Sequence, residues 1–128
     1  MDQPIQSTIS TTLDAPADAR RGEPVAMTLT VENIGRARVD LYLTGRSPTL
    51  EAVLSTHDGR GVAHLLEGVI VPAILTYRSL SPGELMTLSG VLVLGRDIAP
   101  GSYLLTASIL TDDPDSEVQA KSEIHIAD

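Results

Sequence analysis

Apolar and polar residues alternate one by one along much of the chain. Residues 25–33 show the pattern most clearly, with Val25, Met27, Leu29 and Val31 on one face. The same alternation recurs in residues 4–13, 38–44, 102–110 and 118–126. A period of two with many β-branched residues is typical of strands that bury one face. Because no stretch carries the apolar stripe of an amphipathic helix, we predict an all-β chain.

Turn signals separate the alternating runs. Asn33–Gly35 lies between two runs and indicates a hairpin loop. The Asp58-Gly59 pair within His57–Arg60 favours a tight primed turn, in which both central residues take positive φ. Ser81–Gly83 and Ala99–Gly101 fit turns in which proline presets φ and glycine follows.

These signals predict an immunoglobulin-like β-sandwich of about eight short, mainly antiparallel strands. The predicted strands cover residues 4–13, 25–33, 38–44, 49–55, 61–66, 73–78, 85–93, 102–110 and 118–126. Residues 14–24, which contain two prolines, are predicted to be a connecting loop. A chain of 128 residues is expected to form one domain over 1–128.

Missing residue types exclude several functions. The chain has no Cys, Phe or Trp, which excludes disulfides, zinc–thiolate sites and aromatic stacking on bases. The net charge of −8 opposes phosphate backbones, so we expect no nucleic acid partner and no cofactor. The most apolar stretch, residues 65–75, is too short and too interrupted to span a membrane. Residues 1–4 lack a basic leader segment, so we expect a cytoplasmic protein.

Tyr103 is placed to anchor a corner of the sandwich. It follows the Pro100-Gly101 turn by two residues and starts a late strand. In such sandwiches a tyrosine in this position ties its hydroxyl to the backbone of the preceding corner. We predict this structural role for Tyr103 because a buried tyrosine needs one polar partner.

The order of these signatures resembles the intracellular proteinase inhibitor (BsuPI-like) family of bacilli. The matching segments are residues 25–33, residues 49–54 before Asp58-Gly59, residues 80–84, and residues 99–103. The resemblance implies an immunoglobulin-like domain that inhibits an intracellular serine protease, with a subtilisin-type protease as a possible partner. The family usually carries aromatic residues in the strands corresponding to 61–65 and 85–91, and this chain has none there. No reactive-site residue is therefore carried over.

No group of residues indicates catalysis. The three histidines are His57, His64 and His125, and their spacing favours exposed surface positions over a metal site. Ser89 and Ser102 lie in strands or turns, and no Gly-x-Ser-x-Gly elbow is present. We expect a protein that is not an enzyme.

The densest group of charges is acidic. Asp112, Asp113, Asp115 and Glu117 lie in one short stretch that could supply oxygen ligands to Ca²⁺. The stretch lacks an EF-hand frame, so we predict a solvated loop and no bound metal. Acidic side chains there also discourage edge-to-edge strand pairing.

Residues 69–75 are the candidate protein-binding segment. They combine an irregular apolar pattern with a proline, and the candidates are Val69, Ile70, Val71, Pro72, Ile74 and Leu75. Exposed apolar patches mark partner sites. The alternative is that the segment closes the core along one edge. We therefore predict a non-enzymatic protein-binding domain; the alternative function is an accessory subunit docked in a larger complex.

Overall fold

The part of the chain that the structure describes contains ten β-strands and one 3-10 turn. The computed structural model describes residues 8–128. The strands are β1 (Ile9–Asp14), β2 (Asp18–Arg20), β3 (Pro24–Asn33), β4 (Val39–Thr44), β5 (Leu50–Ser55), β6 (Gly61–His64), β7 (Leu75–Leu80), β8 (Leu85–Val93), β9 (Gly101–Ile109) and β10 (Gln119–Ala127). The 3-10 turn, Pro114–Ser116, joins β9 to β10. The predicted all-β class is confirmed; residues 4–7 of the first predicted strand lie outside the described residues.

The strands form three hydrogen-bonded sheets. Their strand orders are β1-β3-β8, β2-β10-β9-β5-β6 and β4-β7. All pairings are antiparallel except that of β2 with β10. Because β1 lies against β10 and β8 lies against β5, the two larger sheets stack face to face. The result is the predicted immunoglobulin-like β-sandwich.

One core of aliphatic side chains lies between the sheets. The fully buried members include Leu29, Leu41, Leu54, Leu80, Leu105 and Ile126. They occupy alternate positions of their strands, since successive side chains point to opposite faces. Fully burying one such side chain stabilises the fold by about 1.5–3 kcal/mol. Tyr103 is the aromatic residue of this core.

Asn33 lies where the chain passes from one sheet to another. Its fully buried side chain donates from Nδ2 to the carbonyl oxygens of Ala37 and Leu80, at 2.8 and 2.9 Å. Its Oδ1 accepts the N–H of Gly35 at 2.9 Å. The predicted hairpin at Asn33–Gly35 is wrong, because β3 pairs with β1 and β8 whereas β4 pairs with β7. The asparagine thus satisfies two backbone groups of the connection between β3 and β4 and one at the end of β7.

The predicted connecting loop over residues 14–24 contains a strand. Residues of β2 pair in parallel with the outer edge of β10. The pairing is extended by bonds from His125 N–H to Ala17 oxygen at 2.8 Å and from Arg21 N–H to Ala127 oxygen at 3.1 Å. The loop prediction is wrong here because the open edge of β10 supplies partners that local sequence does not reveal.

The turn between β5 and β6 differs from the predicted primed turn. Gly59 has a φ of 97°, whereas no residue other than glycine has positive φ in the described chain. Gly59 N–H donates to the Thr56 carbonyl at 3.0 Å, and Thr56 N–H donates to the Arg60 carbonyl at 2.9 Å. This is the three-residue hairpin loop with glycine in the left-handed region, so Asp58 avoids a strained conformation.

Two other turns have the structures that the sequence predicts. At Ser81–Gly83, Glu84 N–H donates to the Ser81 carbonyl at 2.9 Å and Gly83 has a φ of 81°. Pro82 and Gly83 therefore occupy the central positions of a type II turn. The Tyr103 hydroxyl donates to the Ala99 carbonyl at 2.5 Å, which is a tyrosine corner.

Candidate functional site

Segment 69–75 is anchored at the end of β4 by Gly45. The N–H of Gly45 donates to the carbonyl oxygen of Ile74 at 2.7 Å. Gly45 has a φ of 107°, and a Cβ added to it would lie 3.2 Å from Cγ1 of Val71. Glycine alone takes this conformation without strain. The half-buried Val71 therefore packs segment 69–75 against the end of β4.

Most apolar side chains of segment 69–75 face solvent. The exposed members are Val69, Ile70, Pro72, Ile74 and Leu75. Ile70 is 93% exposed and Leu75 is 81% exposed. Closing the core, the alternative role of the segment, requires burial and suits only Val71 among the six candidates. Contact of these side chains with a partner stays a prediction.

Two tyrosines extend this apolar surface along β4 and β7. Tyr42 lies opposite Tyr77 in the register, and Thr44 lies opposite Leu75. The two tyrosine rings are exposed, and their centroids lie 6.2 Å apart. We call the outward side chains of Tyr42, Leu75 and Tyr77 the tyrosine face. Adjacent large apolar groups of this kind form a contiguous patch, and tyrosine is enriched at interfaces.

Sequence reasoning alone does not identify the tyrosine face. The available signal is that Tyr42 alternates with the buried Leu41 and Leu43, which puts its side chain on the solvent side of a strand. Its neighbour Tyr77 comes from a strand that follows much later in the chain. Only the pairing of β4 with β7 brings the two rings together.

The acidic stretch between β9 and β10 covers the second edge of β4. Ser116 Oγ accepts the N–H of Tyr42 at 2.9 Å, and Thr111 Oγ1 donates to the carbonyl of Tyr42 at 2.5 Å. Asp113 Oδ2 in turn accepts the Ser116 hydroxyl at 2.7 Å. The prediction of a solvated loop is wrong for Ser116, which is fully buried because it satisfies the edge of β4.

The carboxylates and histidines do not assemble a metal centre. Within residues 8–128, no three His, Asp or Glu side chains come close enough together to hold a metal ion. The Asp113 carboxylate is occupied by the 3-10 turn, where it also accepts the N–H of Asp115 at 3.2 Å. His57 lies 3.6 Å from the carboxylate of Glu123 on the surface.

The two candidate nucleophiles, Ser89 and Ser102, are exposed on strands of different sheets. Ser89 Oγ lies 3.1 Å from Thr28 Oγ1 on the outer face of the three-stranded sheet. Ser102 is exposed on β9. A hydrolytic site needs a serine within hydrogen-bond reach of a histidine, and the described part of the chain contains no such bond.

The pKa of Asp58 is shifted by its turn. The Thr56 hydroxyl donates to this carboxylate and holds its pKa below the ordinary value of 3.8. Backbone N–H groups of the turn act in the same direction. Because Asp58 is fully exposed in a hairpin, the shift reflects turn structure and not a catalytic environment.

The fold is similar to solved structures at low sequence identity. The sporulation control protein Spo0M from Bacillus subtilis gives a TM-score of 0.60 at 14% identity, covering 93% of this chain and 49% of that one. A CARDB domain from Pyrococcus furiosus, solved with di-metal ions, gives 0.52 at 13% identity, covering 93% and 87%. A β-glucosidase from Listeria innocua in complex with glucose gives 0.53 at 14% identity, covering 94% and 16%. These likenesses show the fold alone.

No protein-family model and no curated protein matches the chain. This chain spans about a sixth of the β-glucosidase chain and half of Spo0M. The comparisons thus support the immunoglobulin-like fold, and none of them supports membership of the intracellular proteinase inhibitor family. Over residues 8–128, no helix is long and apolar enough to cross a bilayer.

Proposed function

We propose that this chain is a non-enzymatic protein-binding domain whose partner contacts segment 69–75 and the tyrosine face. The observation that carries the proposal is the exposure of Leu75, at 81%, beside the Tyr42–Tyr77 pair, together with that of Ile70, at 93%, in the same segment. Fully burying one large aliphatic side chain is favourable by about 1.5–3 kcal/mol of transfer free energy, part of which offsets the entropy cost of association. Tyrosines also frequently dominate binding energy, so this surface has the chemistry of a binding centre.

Two charge substitutions test the proposal in a pull-down from the native host. Ile70→Asp and Leu75→Asp place carboxylates on the surface without removing a buried group. We expect both variants to lose the partner that the parent chain retains. Ile34→Asp is the matched control, because Ile34 is also exposed, at 60%, and lies at the Asn33 junction. Equal retention of the same proteins by all variants would contradict the proposal, provided that thermal unfolding shows all of them folded.

Inhibition of an intracellular serine protease is the finer hypothesis. It rests on the resemblance of the strand and turn signatures to the proteinase inhibitor family. Titration of the chain against a subtilisin-type protease tests it directly. Inhibition at micromolar concentration would support the hypothesis. Its absence would contradict protease inhibition, and partner binding would still be tested by the pull-down.

An accessory subunit of a larger assembly is the second candidate function. The favouring observation is that segment 69–75 contains no charged residue, and loss of charge is typical of interface centres. Size-exclusion chromatography of native extract distinguishes this function from transient binding. A stable subunit elutes with its assembly, whereas a free 13.5 kDa species alone would argue against it.

A further inference from the structure

β8 is an edge strand without the usual protection. It is nine residues long and contains no charged residue, and within residues 8–128 it pairs on one side only, with β3. Natural edge strands are generally short, charged or covered, because open edges recruit other strands. The edge strands β2 and β6 have three and four residues, β1 has six and ends at Asp14, and β7 carries Arg78. The free edge of β4 is covered by hydrogen bonds between the backbone of Tyr42 and the side chains of Thr111 and Ser116. β8 is therefore the edge at which an added strand is best accommodated.

Hydrogen bonds at both ends of β8 show which backbone groups face outward. Asn33 N–H donates to the Glu84 carbonyl at 3.0 Å, and Leu94 N–H donates to the Glu23 carbonyl at 3.1 Å. The backbone N–H and C=O groups of the even-numbered residues therefore bond to β3, since the backbone groups of alternate residues in an antiparallel strand point to opposite sides. The outward-facing backbone groups belong to Leu85, Thr87, Ser89, Val91 and Val93. Across residues 8–128, no hydrogen bond to these five backbone positions is made.

The side chains of this edge are also suited to contact. Leu85, Val91 and Val93 are 52%, 53% and 65% exposed on the outer face of the sheet. In strand addition, backbone bonds supply affinity and alternate side-chain pockets supply specificity. β8 offers both kinds of contact along its whole length.

The space beside β8 is open. β8 lies across from β5, and β6 continues the five-stranded sheet one strand farther. A groove of about 310 Å³ runs along this side of β8; its lining includes Pro48, Leu50 and Arg78. Leu65 approaches from below, since a Cβ added to Gly90 would lie 3.0 Å from both Leu50 and Leu65 side chains. One more strand beside β8 would thus lie above β6.

We propose that an extended segment of another protein adds to β8 as a fourth strand, with apolar side chains beside Leu85, Val91 and Val93 on the outer face and a carboxylate at Arg78. Five outward-facing residues supply up to about ten backbone hydrogen bonds. Arg78 is the charged residue of the groove lining. Its guanidinium lies 3.7 Å from Glu84, and both side chains are partly exposed, so this ion pair is weak and leaves Arg78 able to bind an acidic group.

A second copy of this chain is a poorer occupant. Edge-to-edge pairing of two β8 strands would bring the partner's β5 and β6 into the space that β6 already fills. This follows because β6 extends one strand beyond β8. A single extended segment has no second sheet beneath it and meets no such obstacle.

Selection from a phage-displayed library of nine-residue peptides tests this inference. Val91→Pro removes an outward N–H but no bond to β3, so the variant is expected to fold. We expect Val91→Pro to bind the enriched peptides with about tenfold lower affinity than the parent chain, which is the effect of one lost hydrogen bond. Val91→Thr, which keeps the N–H, is the matched control and should bind like the parent. Arg78→Glu should remove the preference for peptides that carry a carboxylate.

Amide hydrogen exchange locates the bound peptide. On binding, the amides of the odd-numbered residues 85–93 should gain protection, whereas the even-numbered amides should be protected in both states. Protection confined to the tyrosine face, or no enriched peptide, would overturn the proposal. If the chain forms a dimer without peptide and its odd-numbered amides are protected, the strand added to β8 comes from a second copy, and the proposed partner is wrong. Because Val91→Pro leaves segment 69–75 unchanged, its outcome is independent of the proposed function.

Discussion

The side-chain amide of Asn33 donates a 2.9 Å hydrogen bond to the carbonyl oxygen of Leu80. This bond joins the end of β3 to the end of β7. The backbone of Asn33 is paired as well, through the Glu84 carbonyl at 3.0 Å and the Gly83 N–H at 2.8 Å. A single buried residue thus connects the three-stranded sheet to the β4–β7 pair that carries the tyrosine face.

Asn33→Ala should strongly destabilise the fold. The substitution leaves the carbonyl oxygens of Ala37 and Leu80 and the N–H of Gly35 without their partner. Each buried unsatisfied group costs about 1–3 kcal/mol, and partial hydration reduces the sum. We expect a loss of about 3 kcal/mol in the free energy of unfolding, measured by urea denaturation. A loss no larger than that of Thr12→Ala, a substitution at an exposed strand position, would contradict this role.

Tyr103→Phe should cost about 1 kcal/mol. The phenylalanine ring fills the same space in the core, so the change isolates the hydrogen bond to Ala99. Tyr77→Phe is the control, because Tyr77 is 66% exposed. Thermal unfolding of the two variants should separate them; equal midpoints would show that the corner bond contributes nothing.

Gly45→Ala should destabilise more than Gly59→Ala. Both glycines have strongly positive φ, at 107° and 97°, so both substitutions introduce backbone strain of about 1–2 kcal/mol. Only Gly45 also has a close neighbour, Val71, whereas the Cβ added at Gly59 meets nothing within 4 Å. Chemical denaturation measures the difference. If the two losses are equal, Val71 does not pack segment 69–75 as described.

Thr44→Val should leave stability unchanged or raise it by up to about 1 kcal/mol. The Thr44 hydroxyl is buried and lacks a hydrogen-bond partner within the described residues. A methyl group of similar size removes this unsatisfied group. Thr111→Val is the opposite case, because the Thr111 hydroxyl bonds to Tyr42 and its loss should destabilise by about 1 kcal/mol. In urea denaturation, Thr111→Val should therefore lower the free energy of unfolding, whereas Thr44→Val should leave it unchanged or raise it.

Thr56→Val should raise the pKa of Asp58 toward its ordinary value of 3.8. The hydroxyl of Thr56 stabilises the ionised carboxylate, so the pKa of Asp58 in the folded chain is lowered. This interaction stabilises the folded state above the unfolded pKa and is lost as pH falls through the folded pKa. Carboxyl NMR titration of both proteins measures the change. An unchanged pKa in the variant would assign the shift to the backbone bonds of the turn.

The strands of the core were predictable because burial imposes a local period. Leu29 and Leu105 lie on the apolar phase of their strands, and both are fully buried. The turn at Pro82 and Gly83 was likewise predictable, because proline and glycine by themselves favour the backbone angles that this turn requires. Asn33 was not predictable as a junction, because an asparagine before a glycine has the local signature of a hairpin.

The candidate surface was only partly predictable for the same reason. The apolar character of segment 69–75 is visible in the chain, but exposure depends on what packs against it. Val71 is half-buried because it contacts Gly45, whereas Ile70, the adjacent residue, is 93% exposed. The tyrosine face requires the register of β4 and β7, which no local pattern specifies.

By itself, the sequence determined the all-β class, the positions of most strands and the aliphatic character of the core. These properties follow from side-chain periodicity and from turn residues, which act over a few neighbouring positions. The tertiary structure alone decided which strands pair, which edge stays open and which apolar side chains reach solvent. Those properties depend on backbone hydrogen bonds between distant segments, and every strand offers the same donors and acceptors whatever its side chains.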